Sequence, residues 1–270
     1  MKFVITRAQR EAILPRLLER MRADENAVED AYYPIVSLYY DNPQRDCFWE
    51  KEQGYPSRRK MRVRVYGNLD GRLPPTIFVE IKHKCDGRGV KRRLLVPLEE
   101  AYSISAGNDP TVPLDAVNTR LVEEIHHLVK VRGFRPCCAM RYDREAYADR
   151  DPESDLRVTF DTGIAYRFDR LRPIPDDREF SEFLLPDGYS VMEVKVTGCV
   201  PYWMTLLVGE TGCILQGHSK YNNALEAGDP VLHEQMGGRP YKPHYGLTPD
   251  SLAARTQINA VADGPAALAV

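Results

Sequence analysis

The chain lacks every common signature of metal, nucleotide or covalent chemistry. Its six cysteines (Cys47, Cys85, Cys137, Cys138, Cys199 and Cys213) form no CxxC pair and no regular spacing, so they read as reduced thiols, mostly core filler. No GxxxxGKS, GxxxxGKT or GxGxxG run follows a strand-like segment, which leaves a P-loop or dinucleotide fold without support. There is no HExxH, and no serine or cysteine stands in a nucleophile-elbow context. His126-His127 fits no ligand spacing and reads as surface. No apolar stretch approaches the roughly 18 residues of a membrane span, so direct membrane insertion is not expected. Net charge is also missing: the formal value is −2 over 270 residues. No global basic field draws in nucleic acid, and any anion site must be local. Met1 leads straight into Lys2-Phe3-Val4-Ile5 with no leader-like segment, an abrupt start that also fits the loss of a few upstream residues. The expectation is a cytoplasmic protein.

What is present is a repeated strand pattern. Val79-Glu80-Ile81-Lys82 and Met192-Glu193-Val194-Lys195 each put a carboxylate and an amine on one strand face, with an apolar residue between them on the other. Arg62-Val63-Arg64-Val65 repeats the pattern with two guanidiniums. The plain reading of one such strand is a solvated face of an antiparallel sheet. Repetition argues otherwise. Arg62 and Arg64, Glu80 and Lys82, Lys91 and Arg93, Arg144, Arg157, and Glu193 and Lys195 all sit on strands whose neighbouring positions are largely apolar. If the apolar faces pack under helices, the polar faces point at one another and enclose a wet tunnel. A polyphosphate would relieve the repulsion between like charges, and arginine forks match phosphate oxygens. Glu193 is the leading metal-ligand candidate, with Glu80 a weaker one that could instead pair with a neighbouring cation; Mg2+ and Mn2+ take few carboxylates and complete their shells with phosphate oxygens and water. Asp161 could be a ligand, but Asp161-Thr162-Gly163 reads first as a tight turn.

The coarse organisation is a strand-rich α+β domain over residues 1–228, followed by an irregular or mobile tail over 229–270 where Pro, Gly and Ala accumulate. Strand-like segments lie near 34–41, 60–66, 76–84, 89–97, 138–148, 156–168 and 189–197. Asp86-Gly87-Arg88-Gly89 reads as a hairpin loop. Thr6 with Gln9 forms a capping box for a first helix, in which Pro15 predicts a kink or a late start. Further helices are expected over about 114–130, about 202–208 and from near Ser219.

In order and spacing these runs resemble the catalytic domain of the vacuolar transporter chaperone complex, the polyphosphate polymerase branch of the triphosphate tunnel metalloenzymes. The resemblance covers Lys2 to about Leu225. It rests on Ser37-Leu38-Tyr39-Tyr40-Asp41-Asn42, Arg62-Val63-Arg64-Val65-Tyr66-Gly67, Phe78-Val79-Glu80-Ile81-Lys82, Val90-Lys91, Tyr142-Asp143-Arg144, Arg157-Val158-Thr159-Phe160-Asp161-Thr162, Val191-Met192-Glu193-Val194-Lys195 and Ser219-Lys220-Tyr221.

It implies an eight-stranded antiparallel β-barrel tunnel with flanking helices. It also implies a metal-dependent phosphotransferase, with Mn2+ or Mg2+, that moves the γ-phosphoryl group of ATP onto a growing inorganic polyphosphate chain. By position, Lys2, Lys51, Arg62, Arg64, Lys82, Lys91, Tyr142, Arg144, Arg157, Ser219 and Lys220 would contact phosphates, with Arg93 and Lys195 added from the strand pattern. Arg62, Arg64, Lys82 and Lys91 would hold the triphosphate, and Arg144, Arg157 and Lys220 the acceptor or leaving group. Glu193 would hold the metal.

The sequence departs from the family pattern at Gly217, where a lysine is expected, and at Lys51, where the eukaryotic enzyme has arginine. The N-terminal glutamate, SPX domain and membrane segments of that enzyme are not in this sequence. Two other activities stay open: an inorganic tripolyphosphatase or nucleoside triphosphatase, with water as acceptor, and a non-catalytic polyphosphate-binding subunit. A bacterial source is expected, and a membrane or kinase-like protein partner remains open.

Overall fold

The computed structural model describes residues 1–24, 32–67, 71 and 75–237. Its frame is one antiparallel sheet built from β1 (Lys2–Thr6), β3 (Tyr32–Asp41), β4 (Ser57–Tyr66), β5 (Thr76–Cys85), β6 (Arg88–Leu95), β7 (Arg135–Asp149), β8 (Arg157–Arg167) and β10 (Tyr189–Lys195). These eight run in the order β1-β10-β8-β7-β3-β4-β5-β6; short β2 (Met21–Ala23) and β9 (Glu182–Phe183) attach to β7 and β8. The path has the expected eight strands but is not closed by hydrogen bonds, since β1 and β6, at its two ends, do not pair with each other among the described residues. It curls nonetheless, because all eight strands line a single cavity.

Period-two alternation explains the curl. On β4, Met61, Val63 and Val65 are buried outward under helices, whereas Lys60, Arg62 and Arg64 line the cavity. One outer core gathers Met61, Val63, Val79 and Ile81 with Ile104 of α3 (Leu98–Ser105) and Leu121 and Ile125 of α4 (Ala116–His126). A second gathers Phe3, Ile5, Met192 and Val194 under Ile13 and Leu17 of α1 (Arg7–Leu18) and Met204 and Leu207 of α5 (Tyr202–Glu210). Burying a side chain of this kind stabilises by about 1.5–3 kcal/mol, so the helices fix which strand face turns inward.

The capping box forms: the Gln9 amide donates to Thr6 Oγ1 at 3.2 Å, and the Thr6 amide donates to Gln9 Oε1 at 3.0 Å. The helix starts at Arg7 and runs through Pro15, so the late start does not occur. The β5–β6 loop is only Asp86-Gly87, both at positive φ (47° and 82°), as a tight two-residue hairpin requires; Arg88 and Gly89 belong to β6. Asp161-Thr162-Gly163 is not a turn. It lies inside β8, where Gly163 at φ 55° and Ile164 sit opposite Tyr142 alone and form a bulge.

The expected 114–130 helix becomes α4 followed by a π turn at His127–Val131. His127 is exposed and His126 half-buried. Cys47, Cys137 and Cys138 are buried and all six thiols are free. The helices α2 (Asp46–Glu52) and α3 and the strands β1, β2 and β9 have no counterpart in the sequence reading. After α6 (Lys220–Gly228), Pro230–Gln235 forms a short helix, α7, where an irregular tail is expected; residues 238–270 lie outside the described residues. Among the described residues, no helix is long and apolar enough to cross a membrane.

Candidate functional site

The cavity inside the curled sheet has a volume of about 860 Å³. Among the described residues, eleven lysines and arginines line it against two glutamates, Glu80 and Glu193. The lining thus carries a formal +9, so the rest of the chain carries −11 against a whole-chain −2. A basic cavity in a chain whose other residues sum to a negative charge directs polyanions to one place.

Strand register arranges these charges in rows. Arg62, Glu80 and Arg93 lie side by side on β4, β5 and β6. Glu80 is 1% exposed: Arg62 Nε donates to its Oε2 at 2.6 Å, and Arg93 Nε lies 2.8 Å from Oε1. Burial alone would raise the Glu80 carboxyl, but Arg62 and Arg64 outweigh it and hold the group down at about 2. Glu80 is therefore the counter-charge of this row: one oxygen accepts a hydrogen bond from Arg62, and the other is ion-paired with Arg93 without accepting a hydrogen bond.

Arg64 is 6% exposed and has no carboxylate within ion-pair distance among the described residues. Its Nε donates to Ser37 Oγ at 3.1 Å and its NH2 to the Tyr142 hydroxyl at 3.0 Å. Tyr39, which the sequence reading did not assign, accepts from Arg62 NH1 at 3.1 Å; burial works against ionisation of its phenol, but Arg62 and Arg64 prevail and draw it below its ordinary range.

On the far wall, Asp161 is fully buried and anchors two cations. Arg144 grips it through Nε at 2.6 Å and NH2 at 2.8 Å, and Lys220, the first residue of α6, reaches it at 2.5 Å. Burial opposes the charge on Asp161, but Lys220 and Arg144 hold its carboxyl far below the usual range. Asp161 is thus a counter-ion under the cavity floor. The Lys220 ammonium also lies 4.6 Å from the centre of the Tyr142 ring. Ser219 caps α6 and faces the cavity. Arg157 is held by Asp24 at 2.7 Å and the Tyr33 hydroxyl at 3.2 Å.

Glu193 differs from Glu80 because its cross-strand neighbours are Lys2 and Thr159, not arginines. Lys2 Nζ lies 3.9 Å and Lys195 Nζ 3.5 Å from its oxygens, longer than direct hydrogen bonds. Burial would raise its carboxyl, yet Lys2 and Lys195 keep it lowered and ionised. Beside it in register, Thr159 is 1% exposed and its Oγ1 has no hydrogen-bond partner, an unmade bond that water or a ligand would satisfy. No three His, Cys, Asp or Glu side chains converge among the described residues. A cation at Glu193 would therefore take one protein carboxylate, with the remaining positions filled by ligand oxygens and water, which suits Mg2+ or Mn2+. Of the two glutamates singled out by sequence, Glu193 is the better fit to a metal ligand, because Glu80 is already ion-paired with Arg62 and Arg93.

Lys82 and Lys91 also line the cavity, with no carboxylate within ion-pair distance among the described residues. Lys51 does not join them. It stands on α2, outside the lining, and pairs with Glu52. The β4 lysine that does line the cavity is Lys60, missed although it shares the parity of Arg62 and Arg64.

These crowded lysines give a pH signature. Burial and neighbouring cations pull Lys91 down to about 8, and burial pulls Lys60 to about 8 as well. Between about pH 8 and pH 10 the unfolded chain holds protons that these folded lysines have lost, so their contribution to stability rises with pH. The buried thiols Cys47, Cys137 and Cys138, held above their ordinary range, contribute in the opposite sense. The lysine share is therefore read as a difference: in low salt, Lys91→Met is expected to lose melting temperature relative to wild type as pH rises from about 8 to about 10, and a difference that does not change with pH would contradict this picture.

A sequence model described as the VTC domain matches residues 1–227. A curated relative, vacuolar transporter chaperone complex subunit 4 of Schizosaccharomyces pombe, is 26% identical over an alignment of 261 residues, covering 80% of this chain. The chain spans 34% of that relative's length. A solved structure from Bacillus halodurans, assigned as an adenylate cyclase, superposes on 81% of this chain and 92% of its own at 8% identity and a TM-score of 0.44. With its model matched from Met1 through almost all of the described residues, the chain belongs to the VTC domain family.

Proposed function

We propose that this cavity binds ATP, inorganic polyphosphate and one divalent cation, Mn2+ or Mg2+, and transfers the γ-phosphoryl group of ATP to the end of the polyphosphate chain. The observation that supports it most is the charge imbalance: nine formal positive charges in excess surround one loosely held carboxylate, Glu193. Phosphoryl transfer asks a protein mainly to align the groups and stabilise charge on the equatorial oxygens. A terminal oxygen of the acceptor chain bonds to the γ-phosphorus while the bond from that phosphorus to the β,γ-bridging oxygen breaks. The electron pair leaves with ADP, and no proton transfer is needed.

Arg62, Arg64, Lys82 and Lys91 hold the triphosphate in this reading, with Arg62 aimed by Glu80 and Arg64 by Ser37 and Tyr142. Arg144 and Lys220, aimed by Asp161, and Arg157, aimed by Asp24, face the acceptor or the leaving group. A cation held by Glu193 would neutralise phosphate charge and orient the oxygens. We extend the proposal to a cytoplasmic location, where ATP is abundant. Similarity to a subunit of a named complex extends the proposal to a protein partner.

Purified protein incubated with ATP and Mn2+ is expected to produce acid-stable polymer on a gel. Phosphate release from ATP or tripolyphosphate without polymer would make water the acceptor, as in a tripolyphosphatase. Binding without turnover would leave a polyphosphate-binding subunit.

A further inference from the structure

The strand register brings three lysines into a single row. Lys60 pairs with Lys82 across β4–β5, and Lys82 pairs with Lys91 across β5–β6. Like charges directly opposite one another on a sheet repel. The adjacent row, Arg62–Glu80–Arg93, carries its own carboxylate, whereas the lysine row has none within ion-pair distance among the described residues. Lys60 is the most enclosed of the three. Its Nζ donates to Asn222 Oδ1 at 2.6 Å and lies 4.9 Å from the centre of the Tyr221 ring. Tyr221 is fixed in turn, its hydroxyl donating to buried Asp41 at 2.6 Å and its ring stacking on Tyr39 with centroids 5.2 Å apart. Ser219, the cap of α6, donates to the same Asn222 oxygen at 3.0 Å and faces the same cavity. A neutral amide and a ring face are weak company for an enclosed ammonium.

We infer that Lys60 is a phosphate-binding residue: with Lys82, Lys91 and the Ser219 cap it forms a subsite for one phosphoryl group of an inorganic phosphate chain, at the side of the cavity closed by α6. The inference rests on the reading that the cavity takes phosphate chains. Asn222 and the Tyr221 ring hold the ammonium in place, and the phosphate supplies the negative charge that the row lacks.

The test compares wild type, Lys60→Met and Lys60→Arg by calorimetric titration with inorganic tripolyphosphate, and by thermal melting with and without it. Methionine keeps the length and removes the charge. Lys60→Met is expected to weaken tripolyphosphate binding about 10- to 100-fold, the effect of losing one charge-assisted hydrogen bond. Lys60→Arg is expected to recover most of that loss. Without ligand, Lys60→Met is expected to melt at the same or a higher temperature than wild type, because one unneutralised cation is gone. With ligand the order reverses. If wild type binds tripolyphosphate and Lys60→Met binds it equally well, the subsite is overturned and Lys60 only serves Asn222. If wild type does not bind at all, the functional reading fails first. Should Lys60→Met not fold, Lys60→Gln, which can still donate to Asn222, is put to the same measurements with the same expected order.

Discussion

Glu193→Gln is expected to lower turnover of ATP by about 10³-fold while leaving the affinity for tripolyphosphate, measured without divalent metal, unchanged or tighter. Among the described residues Glu193 is one of two lining carboxylates, and the other, Glu80, is ion-paired with Arg62 and Arg93. In the proposed reading, removing Glu193 takes away the lining carboxylate that, among the described residues, could hold a hard cation without breaking the Arg62–Glu80–Arg93 row. Several kcal/mol of charge stabilisation at the reacting phosphate goes with it, and each 1.4 kcal/mol is a factor of ten in rate. The anion, by contrast, meets one negative charge fewer. ADP release with Mn2+ and calorimetry without it measure the two halves separately. Equal losses in both would make Glu193 a structural partner of Lys2 and Lys195.

Asp161→Asn should produce the largest change in stability. Asp161 is fully buried and neutralises Arg144 and Lys220 together. Taking the charge out of a buried ion pair costs about 3–5 kcal/mol, because the partner cations stay buried without a counter-ion. For a chain of this size that is a fall of roughly 10 °C in melting temperature. Saturating tripolyphosphate should restore part of the loss, since a polyanion in the cavity supplies charge to the same arginine and lysine.

The acid limb should change too. The folded Asp161 carboxyl sits far below its unfolded value, so it adds stability that is complete above about pH 4 and lost as pH falls through the lowered folded value. Asp161→Asn should flatten that part of the curve. Glu80, held at about 2, should keep its own contribution, lost between about pH 4.5 and pH 2. A variant as stable as wild type at pH 7 would mean that Arg144 and Lys220 are neutralised by something other than Asp161.

Much of this site was legible in the sequence because strand period two is simple. Arg62, Arg64, Glu80, Lys82, Glu193 and Lys195 alternate with apolar residues, Lys91 and Arg93 keep the same period two across Arg92, and all of them line the cavity. The same parity, counted two residues back from Arg62, would have found Lys60. Lys51, carried over by position alone, fell outside the lining.

Other features depend on partners distant in sequence. Nothing in Glu80-Ile81-Lys82 and Glu193-Val194-Lys195 separates the two glutamates. The difference comes from cross-strand neighbours, Arg62 and Arg93 for one, Lys2 and Thr159 for the other. Asp161-Thr162-Gly163 has the composition of a turn, but a strand with a one-residue bulge also suits a glycine at positive φ. The strand β1 is five residues long and shows little polar contrast; pairing with β10 makes it a strand. Helices α2 and α3 are seven and eight residues long, too short to show a helical period.

The most direct test of the central claim is a crystal structure of the protein grown with inorganic tripolyphosphate and Mn2+. The account predicts phosphate density inside the curled sheet, within hydrogen-bond reach of Arg62, Arg64, Lys82 and Lys91, with metal density beside Glu193. Density for the phosphates on the outer surface with none inside the sheet would contradict it.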